Sequence, residues 1–508
     1  MTTALLVRRF VRDSARNRVN VVLLAVVPVA FVAVAADSLA DAARLLGGRG
    51  GGVDFQSVTA GWAAAFLAGV AMYFQVSASR ASDRRLVLAG LPLRRLVSAR
   101  LMTGVALALL ASAAALLTLA LGQGITDAAR VIVGTVLFAV VYVAVGAVVG
   151  ATVKNAVNGT MVVLFVWIID VFFGPTMTGS TSALTRVLPT HFISLWTVGA
   201  RSGHGGPGEL TWSLTWVGAS VAAAFITLSL TSATARRPRP ERAPGSIGAQ
   251  LRAGLRMSWR EWRRNPAVWA LLVVVPAVFI WLSDKVTPPG RTPVTLREDG
   301  RRFLQLVDPA QIHAGTMAPI AVGSLAALAG MFIASDARAA DRRLALAGQR
   351  SAVVVATRLL TVLVAALAST GVSLAVAATV FEPQQWGWYA AANALVAVTY
   401  GFLGALLGPL LGNVSGAFLA FLLPFLDLGI GQSPMVSGEP AGWARYTPGY
   451  GSIRVLIDAA LTPGFDERTS VALALAWVVG MTVAVAAVLC PRAPARPFSR
   501  TRPVAVET

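Results

Sequence analysis

Long uninterrupted apolar runs constrain this chain more than any other feature of its sequence. The runs are 17 to 24 residues long, enough for a helix to cross about 30 Å of hydrocarbon. Of the 508 residues, 56% are hydrophobic and only 13% are charged, whereas soluble domains carry about 25% charged residues. The sequence therefore predicts an all-α polytopic membrane protein. We place twelve transmembrane helices at roughly 20–36, 57–77, 101–122, 131–152, 157–174, 210–233, 267–283, 316–335, 359–381, 389–411, 415–431 and 470–490.

The excess of basic residues indicates how the chain is oriented. The net charge is +20, and 30 of the 43 Lys and Arg residues fall on the same side of the predicted helices as the amino terminus. Cytoplasmic loops carry such an excess, so we expect both termini in the cytoplasm, at a bacterial plasma membrane. No basic patch interleaved with aromatic residues favours nucleic acid as a partner. The single cysteine, Cys490, excludes an intramolecular disulfide.

Two copies of one unit make up the sequence. Residues 78–101 match 336–359 without a gap at an offset of 258, and Tyr142 recurs as Tyr400 at the same offset. Six helices return the chain to its starting side, so the copies are predicted to be parallel six-helix repeats. We expect a first half at 1–234, a cytoplasmic linker at 235–250, a second half at 251–490 and a cytoplasmic tail at 491–508.

A basic amphipathic segment precedes each copy, at 4–18 and at 251–264. Apolar residues recur there at helical spacing among arginines, which is typical of a helix lying in the headgroup plane of the bilayer. Each segment is either a simple anchor or an interfacial helix that also meets a cytoplasmic partner.

The loop after the second helix of each copy repeats the order Asp-Arg-Arg-Leu. Its candidate binding residues are Arg80, Asp83, Arg84, Arg85 and Leu86 in the first copy, and Arg338, Asp341, Arg342, Arg343 and Leu344 in the second. Orienting the chain in the membrane requires arginines but no fixed order of residues, so the repeated order favours a shape that a partner recognises. The alternative is that the order was inherited when the unit was duplicated and that the arginines only orient the chain. Asp83 lies one turn from Arg80, so we expect these two to pair and leave Arg84 and Arg85 free.

Two carboxylates and two glycine pairs recur within the predicted helices. Asp170 and Asp427, at an offset of 257, are candidates for a substrate pathway, since intramembrane carboxylates are commonly functional. Glycine and proline follow each of them closely, so the alternative is a broken helix end near water. The pairs Gly146 with Gly150 and Gly404 with Gly408 predict close helix packing.

The sequence carries no recognisable catalytic motif. Neither of its two lysines, Lys154 and Lys285, follows a glycine, so no phosphate-binding loop exists. The three histidines lack metal-ligand spacing. We therefore expect no enzyme activity, no metal and no cofactor bound by this chain.

In combination, these features resemble the permease subunits of type-2 ABC exporters. That family has an interfacial helix, six transmembrane helices, a basic loop after the second, and a proline-containing external stretch, found here at 188–192 and 447–450. Pro92, Arg94 and Arg100 also fit the outline of its loop, although the usual glutamates and the Gly-Thr pair are absent, and the second copy lacks the proline.

The resemblance implies that 80–100 and 338–358 are coupling segments for two copies of an ATP-binding subunit. The ATP-binding subunits would bind and hydrolyse Mg-ATP. The permease halves would then alternate between inward and outward access and so export a small molecule, peptide or lipid. A secondary transporter of the major-facilitator type is the alternative, because it also has two parallel six-helix bundles. A membrane enzyme or assembly factor without transport is a third reading.

The orientation is testable by thiol labelling in intact cells. With Cys490 replaced, we expect an impermeant thiol reagent to label Ser437→Cys in the external stretch and to spare Ser246→Cys in the linker. Labelling of Ser246→Cys before the cells are broken would contradict the predicted orientation.

Overall fold

Helices of membrane-spanning length dominate the computed structural model, which describes residues 3–16, 18–45, 52–178, 185–199, 203–231, 251–252, 255–256, 260, 266–287, 290–298, 301–346, 349–434, 440 and 442–490. Ten helices among these residues are long and apolar enough to cross a membrane. The prediction of a multi-pass helical membrane protein is thereby confirmed. The linker 235–250, the tail 491–508 and most of the segment 251–264 lie outside the described residues.

The helices of the first sequence copy form a bundle around the pair α3–α5. Its elements are α1 (Thr3–Arg16), α2 (Arg18–Leu45), α3 (Gly52–Leu88), α4 (Leu93–Gly122), α5 (Ala128–Thr152), α6 (Ala156–Phe172), the short α7 (Pro175–Thr178), α8 (His191–Val198) and α9 (Pro207–Thr231). The amphipathic α1 packs on α4 and α2 and buries Leu6. The helix α4 also contacts α3, and α9 packs on α5.

The second copy repeats this packing order. Its helices are α10 (Pro266–Val286), α11 (Pro309–Leu346), α12 (Ser351–Ala377), α13 (Trp386–Pro424), α14 (Tyr450–Leu461) and α15 (Arg468–Leu489). The central pair is α11–α13, and α12, α14 and α15 pack around it. A π-helical turn, Phe425–Gly431, continues α13, and Gly412 breaks α13 with a φ of 80°.

A β-hairpin between α10 and α11 departs from the all-helical prediction. Its antiparallel strands are β1 (Thr292–Glu298) and β2 (Arg301–Val307), paired from Thr292 opposite Val307 to Glu298 opposite Arg301. Val294 and Leu296 alternate inward along β1 and are buried. This alternation, with Asp299-Gly300 as the sequence between the strands, is a hairpin signal that is too short to stand out among the long apolar runs.

Glycines let the central helices approach to backbone contact. A Cβ at Gly146 of α5 would collide with the carbonyl oxygen of Gly69 in α3. In the second copy, a Cβ at Gly404 would collide with the carbonyl oxygen of Ala327 in α11. Small residues provide this close fit in a bilayer, where lipid removes the hydrophobic drive for helices to associate.

Filling this crossing should destabilise the protein in detergent. For Gly404→Val we expect a loss of about 1–3 kcal/mol, because the added methyl groups force the backbones of α11 and α13 apart. The matched control is Gly480→Val in α15, where a side chain would enter open space. Thermal unfolding followed by size-exclusion chromatography measures both, and equal midpoints for the two variants would contradict the close crossing.

Candidate functional site

Asp170 is buried at the end of α6 and holds the segment that follows it. Its side chain is 3% exposed. Tyr142 Oη donates to Oδ2 at 2.9 Å, Thr190 Oγ1 donates to Oδ2 at 2.7 Å, and the Thr190 amide donates to Oδ1 at 3.2 Å. One carboxylate therefore ties α5, α6 and the start of α8 together.

Asp427 makes the corresponding contacts in the second copy. Its oxygens accept hydrogen bonds from Tyr400 Oη, Gln432 Nε2 and Thr447 Oγ1, and from the Gly449 amide at 2.9 Å. The residue is 5% exposed and lies in the π-helical turn after α13. This carboxylate ties α13 to the segment that leads into α14.

Both aspartates lie close to helix ends, and both side chains are buried. Burial requires hydrogen-bond donors for a carboxylate, and the proline-containing stretches supply them through Thr190 and Thr447. The tyrosine, the aspartate and the proline recur visibly in the sequence, but the contacts between them do not follow from it. A tyrosine 28 residues before one aspartate and 27 before the other was the available signal.

The loop after α3 is held by a second set of polar contacts. Asp83 accepts from Arg100 Nη2 at 2.6 Å, from Arg100 Nε at 3.0 Å and from Ser79 Oγ at 2.8 Å. Arg80 turns the other way and donates to the carbonyl oxygens of Gly150 and Val153, through Nε at 2.8 Å and Nη2 at 2.6 Å respectively. The expected pairing of Asp83 with Arg80 is therefore wrong, because helix packing brings Arg100 of α4 to the carboxylate.

The second copy contains the same arrangement. Asp341 accepts from Arg358 Nη2 at 2.7 Å and from Nε at 3.0 Å. Arg338 Nη1 donates to the Pro409 carbonyl oxygen at 3.0 Å. Each set joins three elements, and we call the two sets the loop clamps: Arg80, Asp83 and Arg100 in the first copy, Arg338, Asp341 and Arg358 in the second.

The remaining motif residues of the first copy protrude from the loop clamp. Arg85 and Leu86 are exposed, and Leu88 beyond them is 78% exposed. Arg84 is half-buried, and neither Arg84 nor Arg85 makes an ion pair with any described side chain. In the second copy Arg343 is exposed, while the side chains of Arg342 and Leu344 are not among those described. The clamp thus fixes the backbone of α3 and leaves a basic, partly apolar surface uncovered.

The helix α1 reaches the first loop clamp. The guanidinium carbon of Arg100 lies 3.8 Å from the centre of the Phe10 ring, a cation–π contact. The same arginine that pairs with Asp83 therefore also anchors the amphipathic helix. The corresponding residues before the second copy fall outside the described part of the chain.

No cluster of three His, Cys, Asp or Glu side chains able to hold a metal ion occurs among the described residues. Of the histidines, His191 is buried in α8 and His313 lies in α11. The His313 Nδ1 atom is 2.7 Å from Thr287 Oγ1.

Comparison with known proteins assigns no family. No protein-family model matches the chain, and a search of curated proteins finds no match.

Removing the Asp170 carboxylate should release the segment around Thr190. For Asp170→Ala we expect a loss of about 3 kcal/mol or more, since two hydroxyls and an amide lose their acceptor in a buried site. For Tyr142→Phe we expect about 1 kcal/mol, because the carboxylate keeps both donors of Thr190. Thermal unfolding and hydrogen exchange at the Thr190 amide measure these effects.

The control for that experiment is Asp13→Ala, which removes a carboxylate that is 76% exposed on α1. If Asp170→Ala retains the native exchange rate at Thr190, the carboxylate does not hold the segment.

Proposed function

We propose that this chain is the transmembrane permease component of an ATP-driven, ABC-type exporter. It moves its substrate across a bacterial plasma membrane by alternating access, with both termini in the cytoplasm. ATP hydrolysis takes place in two copies of a separate ATP-binding subunit, because the sequence of this chain has no phosphate-binding loop. The chain itself is a transport subunit rather than an enzyme.

We propose twelve membrane crossings in two parallel repeats. The stretch Trp386–Gly431 has 46 residues, about 69 Å as continuous helix, more than twice the hydrocarbon thickness. The break at Gly412 divides it into two crossings. The apolar 21-residue helix α10 adds another crossing, although it is not among the ten helices identified above. With these two additions the ten become twelve, and both ends of the chain lie on one side.

The observation that carries the proposal is the pair of loop clamps. An orientation signal needs only positive charge, which side chains in any conformation supply. Here a partly buried ion pair and bonds to helix-end carbonyls hold the end of α3 in a fixed position, and the same contacts recur at α11. A rigid, repeated basic surface is what two identical partner subunits would require.

The buried carboxylate of Asp170 supports the same proposal, because α5 joins it to the loop clamp. Tyr142, Gly146 and Gly150 lie four residues apart along one face of α5. Tyr142 contacts the carboxylate of Asp170, and the Gly150 carbonyl contacts Arg80 of the clamp. A displacement of the loop by ATP-driven closure of the partners would therefore reach the middle of α5, where Tyr142 contacts Asp170, through one rigid helix.

Copurification tests the proposal directly. The tagged chain is extracted from native membranes in mild detergent, and bound proteins are identified by mass spectrometry. We expect a soluble subunit with a phosphate-binding loop at two copies per chain, and ATPase activity in the complex but none in the isolated chain. Substrate transport driven by an ion gradient in proteoliposomes that contain only this chain would overturn the proposal in favour of a secondary transporter.

Charge reversal at the paired arginines of the two loops should release the partner. For Arg84→Glu with Arg85→Glu we expect at least a thirtyfold weaker interaction with the ATP-binding subunit, since truncating an anchoring arginine typically costs about 2 kcal/mol. Reversal of Arg342 and Arg343 should act in the same way at the other half. The first loop retains Pro92, so we expect it to be the less tolerant of the two.

The control variant reverses Arg236 and Arg237 in the linker, which changes the cytoplasmic charge by the same amount. All variants must reach the membrane in native amounts, because these arginines also orient the chain. Normal ATPase binding and transport by both loop variants would leave the loops as orientation signals alone.

A further inference from the structure

An apolar cavity lies between the two sequence copies. Its walls come from α6 of the first copy and from α10, α11 and the end of α13 in the second. Its volume is about 80 Å³, several times the roughly 10–15 Å³ that one water molecule requires, and it opens outward on one side.

The lining specifies the chemistry of an occupant. Met161, Leu164 and Phe279 contribute apolar surface, and no Asp, Glu, Lys or Arg is among the described residues that line the cavity. Ser324 also lines it, is 8% exposed, and has an Oγ without a hydrogen-bond partner among the described residues. A buried hydroxyl without a partner is costly, and a polar atom of a bound molecule would satisfy it.

The sequence repeat identifies the counterpart of this cavity. The offset of 258 relates Gly69 to Ala327. The structure supports this alignment, because the carbonyl group of Gly69 meets Gly146 and that of Ala327 meets the equivalent Gly404 at the helix crossings. At that offset the equivalent of Ser324 is Phe66.

The offset of 257 relates the two carboxylates, Asp170 and Asp427. At that offset Met161 corresponds to Phe418, and Leu164 corresponds to Phe421. At two of these positions the cavity side carries the smaller or unbranched side chain, Ser324 or Met161, and the other side carries phenylalanine, Phe66 or Phe418. Phe421 lines the cavity as well, as does its equivalent Leu164.

Aromatic side chains fill the counterpart. The ring of Phe66 lies 5.2 Å from that of Phe418, 5.3 Å from that of Phe421 and 5.1 Å from that of Trp167, measured between centroids. All four side chains are at most 3% exposed. The two halves thus present one open and one filled version of the same site.

We propose that this cavity is a single binding site for an uncharged, predominantly apolar small molecule whose one polar group hydrogen-bonds Ser324, and that Phe66 and Phe418 block the equivalent site in the other half. Such molecules would be the substrate class of the exporter, and only their transport across the membrane rests on the proposed function. Binding itself requires no ATP-binding subunit.

Photolabelling of the purified chain in lipid nanodiscs tests the site. The probe is 4-[3-(trifluoromethyl)diazirin-3-yl]benzyl alcohol, an uncharged aromatic molecule with one hydroxyl. We expect adducts at Met317 and Leu325, which line the cavity, to saturate with probe concentration at no more than one per chain. Adducts at Trp281, which is 53% exposed, should rise linearly and serve as the internal reference for the lipid-facing surface.

Exchanging the equivalent residues should move the site. Ser324→Phe, or Met161→Phe as a second blocking variant, should lower the cavity adducts at least tenfold without changing those at Trp281. Ser324→Ala keeps the space and loses the hydrogen bond, so its half-saturating concentration should rise about fivefold. Phe66→Ser should create new saturable adducts at Phe418 and Trp167.

A variant is compared with the native chain only if its size-exclusion profile and its thermal unfolding midpoint match those of the native chain. Adducts in the native chain that fail to saturate, as free entry of bilayer lipid would give, overturn the proposal. So do saturable cavity adducts that persist in both folded blocking variants. Because the ATP-binding subunit is absent, failure of this experiment is distinct from failure to copurify an ATPase.

Discussion

The close crossing of α3 with α5, repeated by α11 with α13, is the contact on which the other features of each half depend. Lipid surrounds these helices, so they associate through packing and polar contacts, and glycine permits the closest approach. At Gly146 and Gly404 a side chain would collide with the backbone of the neighbouring helix. The crossing fixes the rotation of α5 and α13 about their own axes, and with it the direction of every functional side chain they carry.

That rotation aligns two polar sites along one helix face. In α5 the residues 142, 146 and 150 follow the spacing of one helical row, about 12 Å from first to last. The tyrosine meets a buried carboxylate, the first glycine meets α3, and the carbonyl of the second glycine meets the arginine of the loop clamp. Residues 400, 404 and 408 repeat the row, with the clamp arginine bonded to the neighbouring Pro409 carbonyl.

The two halves share this frame and differ in how the space between them is filled. Phe66 and Phe418 on one side, and Ser324 and Met161 on the other, give one packed and one open version of the same surface. Duplicated units begin identical, and only one of two equivalent sites needs to be kept for a single ligand. The polar contacts that hold each half together recur in both copies, whereas the residues around the cavity have diverged.

By itself the sequence determined the membrane class, the existence of the repeat, and which positions correspond between the copies, because hydropathy and self-similarity are properties of the chain alone. It also identified Asp170, Tyr142 and the arginines of the loops as candidates. It could not decide their partners. Asp83 was expected to pair with its neighbour Arg80, yet the carboxylate bonds Arg100, 17 residues away, and Asp170 bonds Thr190, 20 residues away. The tertiary structure decided those contacts and the open cavity at Ser324, because they depend on how helices distant in sequence rotate and pack against one another.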